Sequence, residues 1–552
     1  MKRISSVIIV FLISFSILSF ADTLKDDIPS QLPGNIYFYA GVLDFEEHYD
    51  NLMKSAFWKE FSKTDVKKNM EQSRKGLRLN QELDKYEDIL GFTFVRDNFK
   101  KLLGNEVAIA LYEFKDLHSV YVIKVDKQNK VKRFLQENKS KLKENKYKEI
   151  VFYGFDSGDS DNTFGVLFTD EYVFIANQIE LIRDIIDVRT GSLKETLKSN
   201  QEFIKCSALI TEEYDGFAFF NLDECAGNQY FQRYWFPQNN PLFKKIDNEL
   251  VIYNLEKKLI KEHRYYNYKS DEKINRPLSD IFDMIPGGVF SFSVRSYESS
   301  TTLVESFFLG KEELARGYFQ TTGSNSPLSI WKTELNQEKP EITAQDLETV
   351  FGTTAGFVNI ILDENDRNEI LSILIVERKD NKKAWDKLVK VLEKNYNKGY
   401  QLSDELLIKM EEKKSGSFRI LYPDIPHHPE EFLPAIIIGK DFFVFPQDFA
   451  SAEHFLKISG KNNPKSILGK ELKKDEKITM VYKVDVKENM KKLEKILEAE
   501  SDAYWLNYYE KQIIRKDFTE LKWSFNELTH IEGVRFFTDS KTEEELVNYY
   551  FD

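Results

Sequence analysis

The chain has 552 residues, of which 41% are hydrophobic and 14% are aromatic, and its formal net charge is -13. A composition this apolar excludes a disordered chain, and one hydrophobic core rarely organises so many residues, so two or more compact units are expected. The negative charge repels phosphate backbones, which makes nucleic acid a poor partner.

The N-terminal residues have the layout of a cleavable secretory signal. A basic pair at residues 2–3 precedes an apolar run over 7–20, and small residues at Ser19 and Ala21 precede a cut. A bilayer-spanning helix needs about 20 apolar residues, and serines interrupt this shorter run, so a cleaved signal is favoured over an uncleaved anchor.

The sequence therefore predicts a signal peptide over 1–21 and a secreted or periplasmic protein after cleavage near Ala21. No later apolar run approaches spanning length, so no stable membrane span is expected in the mature chain. This location argues against chemistry that is driven by ATP or nicotinamide.

The two halves of the chain resemble each other. The turn and strand that begin at Leu32 recur at Ile285, and the strand–turn–strand segment 166–174 recurs at 436–444, where the offset is 436 − 166 = 270. Further matches in the same order are Gly104 with Gly352, Tyr234-Trp235 with Tyr504-Trp505, and Arg264 with Arg535. Because order and offset are shared along the chain, the sequence predicts an internal duplication.

Within each half, alternating apolar patterns predict strands and helical spacing predicts helices. Examples are the strand Val107–Tyr112 and, in the second half, a helix that bears Ala384, Trp385 and Leu388. A long helix is also predicted over 487–518.

The predicted fold class is α+β: two tandem similar lobes, each made of antiparallel strand pairs followed by helices. The first α+β repeat unit is predicted over 22–283 and the second over 284–552. Because no Pro- or Gly-rich linker separates them, tight contact between the lobes is expected.

Cys206 and Cys225 are the two cysteines of the chain. An exported protein meets oxidising conditions, so the pair is a candidate disulfide bond. A protein of this size needs no such link, and two buried thiols fit the sequence equally well. Geometry decides between these interpretations.

Two polar segments at equivalent places in the repeat carry metal-ligand chemistry. Asp156, Asp159 and Asp161 alternate with other oxygen-bearing residues, as in sites for hard cations such as calcium. His427 and His428 precede two glutamates, and zinc prefers such ligands. The first segment lacks the closing Glu of an EF-hand, and adjacent histidines point apart in extended chain. Solvated turns are therefore favoured at both places, and no cofactor is predicted.

Aromatic residues cluster late in each half. Tyr234, Trp235, Tyr504 and Trp505 are candidates for lining a cleft for a glycan or apolar ligand, because aromatic faces stack on apolar surfaces. Packing in the core or between lobes explains the same residues and is favoured, since they recur at matching positions.

Motifs for enzymatic catalysis are missing. The chain contains neither Gly-x-Ser-x-Gly nor His-Glu-x-x-His, so no catalytic residue is assigned. Paired carboxylates for glycoside hydrolysis leave no local signature, and acidic residues are abundant, so a hydrolase stays open.

Three segments carry a resemblance to a known family: Leu32–Val42, Leu102–Ala110 and Gly216–Asp223. Together they resemble a family of uncharacterised exported bacterial proteins with a domain of unknown function. The resemblance covers mainly the first half, and in the second half Gly352-Thr353-Thr354-Ala355 lacks the acidic residue. It implies an exported α+β protein and carries over no functional residue.

The sequence thus favours an exported, non-enzymatic binding or structural protein of the cell envelope, with a protein, glycan or apolar ligand as its partner. The alternative is a secreted hydrolase that acts on glycan or peptide through paired carboxylates. An envelope-assembly factor is not separated from the first hypothesis by sequence.

Overall fold

The computed structural model of the chain describes residues 28–43, 106–125, 142–156, 163–210, 214–229, 245–256, 258–270, 284–308, 324–364, 367–400, 407–459, 466–468, 470–471, 478–485 and 528–551, with residues 50, 77, 81, 84, 86–90, 281 and 487. Helices accompany antiparallel strands throughout this part of the chain, so the fold is mixed α+β. Contacts divide the chain into two compact units: residues 1–270 with 541–546 and 552, and residues 271–540 with 547–551. The repeat boundary after Asp283 stays a prediction.

The first unit is built on an antiparallel sheet with the strand order β10-β9-β8-β1-β2-β3-β7-β6-β5-β4. Its strands are β1 (Phe38–Leu43), β2 (Glu106–Leu111), β3 (Ser119–Lys124), β4 (Lys143–Tyr147), β5 (Ile150–Asp156), β6 (Thr163–Phe168), β7 (Tyr172–Ala176), β8 (Gly216–Asn221), β9 (Ile246–Glu256) and β10 (Leu259–Tyr268). Its helices are α1 (Ile28–Gln31), α2 (Ile179–Arg189), α3 (Gln201–Ala208) and α4 (Leu222–Gly227), with a 3₁₀ helix at Leu197–Ser199.

Helix α2 packs its apolar face on this sheet. Ile182, Ile185 and Ile186 recur at helical spacing and are all 0% exposed. Gly165 in β6 allows the close approach, because a Cβ there would lie 2.5 Å from Ile182 Cγ1. All residues of β7 are buried as well, so the core of the first unit lies between the sheet and this helix.

Residues 541–546 complete the edge of the first unit. They include the start of strand β22 (Thr542–Phe551), which pairs with β10. The Tyr268 hydroxyl donates to Glu543 and the Tyr266 hydroxyl donates to Glu545, both at 2.7 Å. These two carboxylates are 3% and 4% exposed, so the hydrogen bonds stabilise groups that are costly to bury.

The second unit is built on an antiparallel sheet with the order β21-β20-β11-β12-β13-β17-β16-β15-β14. Its strands are β11 (Ser291–Ser296), β12 (Phe351–Glu364), β13 (Arg367–Arg378), β14 (Met410–Ser415), β15 (Phe418–Pro423), β16 (Ile436–Ile438), β17 (Phe442–Phe445), β20 (Ile478–Asp485) and β21 (Leu528–Phe537). The short strands β18 (Ser466–Ile467) and β19 (Lys470–Glu471) pair separately.

The helices of the second unit are α5 (Ser300–Phe308), α6 (Pro327–Leu335), α7 (Ala344–Val350), α8 (Lys382–Tyr400) and α9 (Phe449–Ile458), with a 3₁₀ helix at Glu430–Phe432. Trp331 of α6 is 0% exposed and its indole Nε1 donates to the Leu388 carbonyl of α8 at 3.0 Å. The Trp331 ring also lies 6.0 Å from Phe445 and 6.2 Å from Phe351. The core of this unit therefore joins two helices to two strands through aromatic contacts.

Strand β12 starts with an irregularity that accommodates a carboxylate from β13. Glu377 accepts hydrogen bonds from the N–H groups of Thr353 (2.7 Å) and Thr354 (3.1 Å). Gly352 leaves room for it, because a Cβ there would lie 2.3 Å from Glu377 Cδ. Segment 352–355, which contains no acidic residue, thus contacts a carboxylate from the neighbouring strand.

Several predicted elements are confirmed. Segments 166–174 and 436–444 form the hairpins β6–β7 and β16–β17, and the helix at Ala384 is α8. The signal peptide over 1–21 lies outside the described residues. So does the helix predicted over 487–518, apart from its first residue, Lys487, which is helical. None of the described helices has the length and apolar character that a bilayer crossing requires.

Candidate functional site

The two cysteines are free thiols in the structure, and both are 0% exposed. The Cys206 thiol donates to Asn248 Oδ1 at 2.6 Å, and the Cys225 thiol lies 3.6 Å from the Tyr37 carbonyl. Burial raises the pKa of each thiol, so both stay protonated near neutral pH and neither is an activated nucleophile. The sequence fitted a disulfide bond and two buried thiols equally well, and the structure contains two buried thiols.

The predicted metal ligands are not gathered into a site in the part of the chain that the structure describes. Asp156 is exposed at the end of β5, while Asp159 and Asp161 lie outside the described residues. His427 and His428 are both exposed in the loop after β15, and the His428 ring lies 5.3 Å from that of Tyr400. This loop position agrees with a solvated turn.

The aromatic candidates Tyr234, Trp235, Tyr504 and Trp505 all lie outside the described residues. Their role as ligand-stacking or packing residues stays a prediction.

Sequence reasoning missed a group of three metal-ligand types on the β2–β3 loop. Ligand atoms of Glu113, Asp116 and His118 lie within 4.8 Å of one another, and each residue is half-buried. The Glu113 carboxylate already accepts the N–H groups of Lys115 and Asp116, both at 2.5 Å, and His118 Nε2 lies 3.2 Å from Gln178 Nε2. These contacts close the loop, which accounts for the cluster without an ion.

A cavity of about 340 Å³ lies in the second unit, where β13 ends and α8 begins. Residues 378–382, Trp385 and Asp386 form one side of it, and Glu412 and Arg419 of the β14–β15 hairpin form another. Ile438 and Phe443 complete the lining, and both are buried. Its volume lies within the range of about 300–1,000 Å³ that is usual for ligand pockets.

Charged side chains surround this cavity. Four are cationic and three are carboxylates: Arg378, Lys379, Lys382 and Arg419, and Asp380, Asp386 and Glu412. Arg419 Nη1 lies 3.1 and 2.9 Å from the two carboxylate oxygens of Glu412, so these charges neutralise each other. Arg378 donates to the Gly439 carbonyl at 2.8 Å and lies 3.4 Å from Asp380, whose side chain is 91% exposed.

Two aromatic rings, together with Ile438, supply the apolar part of the lining. Trp385 and Phe443 are stacked, with centroids 4.5 Å apart and an interplanar angle of 15°. The Arg378 guanidinium lies 5.6 Å from the Phe443 centroid, within the range of cation–π attraction. Trp385 is only half-buried, so part of its surface is available to a ligand.

Asn381 fixes the start of α8 beside the cavity. Its side-chain Oδ1 accepts the Ala384 N–H at 3.1 Å and its carbonyl accepts the Trp385 N–H at 2.9 Å. This is the geometry of an N-terminal cap, and it directs the first turn of a 19-residue helix toward the cavity.

The carboxylates of the cavity lack the shielded environment of a glycosidase general acid. A general acid for glycoside hydrolysis works from a carboxyl shielded from water, whereas Asp380 and Asp386 are exposed and Glu412 is held by Arg419. Its lining comes from six elements spread over residues 378–443, so no local motif could have indicated it. The run from Arg378 to Asp386, with Asn before an amphipathic helix, was the one available signal, and it predicts only a helix start.

Comparisons with known proteins give few relatives. No curated protein matches the chain. Among solved structures, crystal form I of TP0453 is 10% identical over 43% of this chain and 77% of that chain, with a TM-score of 0.24. Crystal forms III and IV of TP0453 are each 8% identical with the same TM-score, and cover 43% and 46% of this chain and 78% and 81% of theirs. These scores are too low to relate the folds.

A family match covers most of the chain. It extends into the second half, whereas the resemblance carried by the strand and turn segments lay mainly in the first half. It is the family described as "Protein of unknown function (DUF3352)", and it matches residues 58–404. This chain belongs to that family.

Proposed function

We propose that this protein is an exported, non-enzymatic binding protein of the cell envelope, made of two duplicated lobes, with a ligand site in the cavity of the second unit. The cavity carries the proposal: it has the volume of a ligand pocket, a half-exposed tryptophan and charged groups at its rim.

Duplication is supported by the strand order within each unit. In the first, β8-β1-β2-β3-β7-β6-β5-β4 follow one another, and in the second β20-β11-β12-β13-β17-β16-β15-β14 do. Strands that match in sequence hold the same position in the two lists. Helix α2 follows β7 along the chain, and helix α9 follows β17, which holds the matching position in the second unit.

A cross-strand pair at equivalent positions adds to this support. Glu106 and Lys124 face each other on β2 and β3, with an ion pair of 3.3 Å. Adding the sequence offset between the halves at each strand gives 106 + 248 = 354 and 124 + 253 = 377. These positions are Thr354 and Glu377. Here the Thr354 N–H donates to the Glu377 carboxylate at 3.1 Å. The polar contact between the strands is kept although its chemistry has changed.

Export is supported by the sequence of residues 1–21 alone, whose basic, apolar and small-residue parts follow the order of a cleavable signal. The hydrolase alternative gains no support from the cavity, because its carboxylates are solvated or ion-paired.

Native mass spectrometry tests the proposal on the chain from Asp22, gently purified from its own host. We expect a discrete added mass that persists in Lys390→Trp and is lost in Asp386→Trp. Asp386 lines the cavity and is exposed, so the indole fills it, whereas Lys390 lies one helical turn away outside the lining.

A bare chain would contradict a stably bound ligand, and an added mass that survives in Asp386→Trp would place the ligand elsewhere. Release of soluble fragments from purified cell wall by the wild-type chain would favour the hydrolase instead.

A further inference from the structure

The charges around the cavity balance one another. The Lys379 ammonium donates to the Ser300 hydroxyl and, at 3.1 Å, to the Glu348 carbonyl, and neither acceptor lines the cavity. The other charged side chains of the lining are three cations and three carboxylates: Arg378, Lys382 and Arg419, and Asp380, Asp386 and Glu412. Because neither sign is in excess, an uncharged ligand suits the cavity better than an anion or a cation.

Hydrogen-bond donors and acceptors both remain in the lining. The two contacts between Arg419 and Glu412 use only the Arg419 Nη1 atom, so Nε and Nη2 have no partner among the described residues. The Asn381 Nδ2 atom also lacks a partner in the described ranges, because its hydrogen bond to α8 uses Oδ1. The Asp386 carboxylate is exposed and can accept. A hydroxyl group both donates and accepts, so a ligand rich in hydroxyls matches this set.

The Trp385 indole supplies a fixed apolar surface beside these polar groups. Phe443 stacks on it, and the Trp331 ring meets it at 76° with centroids 6.1 Å apart. These two buried rings hold the indole in place, which lowers the entropy cost of binding. The C–H groups on one face of a sugar ring form an apolar surface that can pack on such a ring.

A purely apolar ligand fits the cavity less well than a sugar. It would cover the indole, but it would also remove water from Arg419 and Asn381 without replacing the hydrogen bonds to water, which costs free energy. A sugar ring presents C–H groups to the indole and hydroxyl groups to the polar side chains at once.

We propose that the cavity binds an uncharged sugar ring, with its C–H face on the Trp385 indole and its hydroxyl groups bonded to Asn381 and Arg419. This inference rests on the proposed binding function and specifies the chemistry of its ligand. A volume of about 340 Å³ lies at the small end of the range for ligand pockets, so the cavity holds a short stretch of a glycan rather than a long chain.

Saturation-transfer NMR on the chain from Asp22 tests this with the methyl glycosides of glucose, galactose, mannose and N-acetylglucosamine. Sorbitol carries the hydroxyl groups without the ring, benzyl alcohol carries a flat ring with one hydroxyl, and glucuronate adds a negative charge. We expect at least one methyl glycoside to receive saturation at its ring C–H protons and to bind more tightly than these three probes.

Two variants locate the binding site. Trp385→Leu should weaken the best glycoside about two- to ten-fold through loss of stacking, whereas Tyr400→Leu, on the last residue of α8 and outside the lining, should not. Asn381→Ser keeps a residue that caps helices well and removes the Nδ2 donor, so it should weaken binding about two- to ten-fold with α8 intact. Asn395→Ser is its matched control, on the same helix and outside the lining.

Equal weakening by Asn381→Ser and Asn395→Ser would overturn the site. Tighter binding of benzyl alcohol or glucuronate than of every glycoside would overturn the sugar chemistry and leave the binding function standing. Failure of all four glycosides to bind would also overturn this inference, while the added mass sought by native mass spectrometry judges the function separately.

Discussion

At the scale of single residues, Cys206 belongs to a buried polar network. Asn248 is 0% exposed and its Oδ1 accepts from the Cys206 thiol at 2.6 Å and from Asn267 Nδ2 at 2.7 Å. Its Nδ2 donates to Glu202 at 2.6 Å. Every polar group of the network has a partner, so it ties α3 to β9 and β10 without a covalent link.

The two thiols should therefore be inaccessible and unbridged. We expect the native chain to react with 5,5′-dithiobis(2-nitrobenzoate) at neither cysteine, because burial raises the thiol pKa values and blocks access. In denaturant without reductant, both cysteines should react. Cys225→Ala isolates Cys206 as a control, and a denatured chain that yields no free thiol would establish a disulfide instead.

At the scale of elements, α7 begins with a reciprocal cap. The Thr343 hydroxyl accepts from the Asp346 N–H, and the Asp346 carboxylate accepts from the Thr343 N–H at 2.8 Å. Lys387 of α8 pairs with the same carboxylate at 2.6 Å, so one side chain joins two helices. Burial acts to raise the pKa of Asp346, but the hydrogen bonds from Lys387 and Thr343 outweigh it and leave the pKa lowered.

A lowered pKa gives this cap a defined pH dependence. The stability it supplies is present above the unfolded-state pKa of about 3.9 and is lost as pH falls through the lower folded-state pKa. We expect Asp346→Asn to reduce the free energy of unfolding by about 1 kcal/mol at neutral pH, with the gap closing below pH about 4. Urea denaturation of both chains at several pH values measures this.

Asp386→Asn, on an exposed aspartate of α8, serves as the reference and should show no comparable gap. A difference between Asp346→Asn and wild type that is constant with pH would assign the effect to packing rather than to charge.

The elements were largely predictable, while the site was not. The hairpin at Val166 was predictable because apolar strands flank a short polar turn, and α8 was predictable because Ala384 and Leu388 share one face. The cavity depends on where Arg419 and Phe443 arrive in space, and hydrophobic periodicity carries no information on that. The Glu377 contact with β12 was equally hidden, since it joins residues through strand register.

At the scale of the whole molecule, the first unit takes residues from both ends of the chain. A fragment of residues 22–270 lacks 541–546 and with them the carboxylate partners of Tyr266 and Tyr268. We expect faster amide hydrogen exchange along β10 in this fragment than in the complete chain, because an edge strand loses its neighbour.

A synthetic peptide of residues 541–551 should restore protection of β10, and the same peptide with Glu543→Lys and Glu545→Lys should not. Equal protection of β10 in the fragment and in the complete chain would contradict a stabilising role for this segment.

The pairing of β10 with the C-terminal strand also sets the order in which the molecule is finished. A ribosome makes Tyr268 of β10 275 residues before it makes Glu543. N-terminal domains usually fold first during synthesis, but here the N-terminal unit gains its last strand after nearly all of the second unit has been made. For the exported protein proposed above, that delay keeps the first unit incomplete while the chain is still being threaded through a translocation channel.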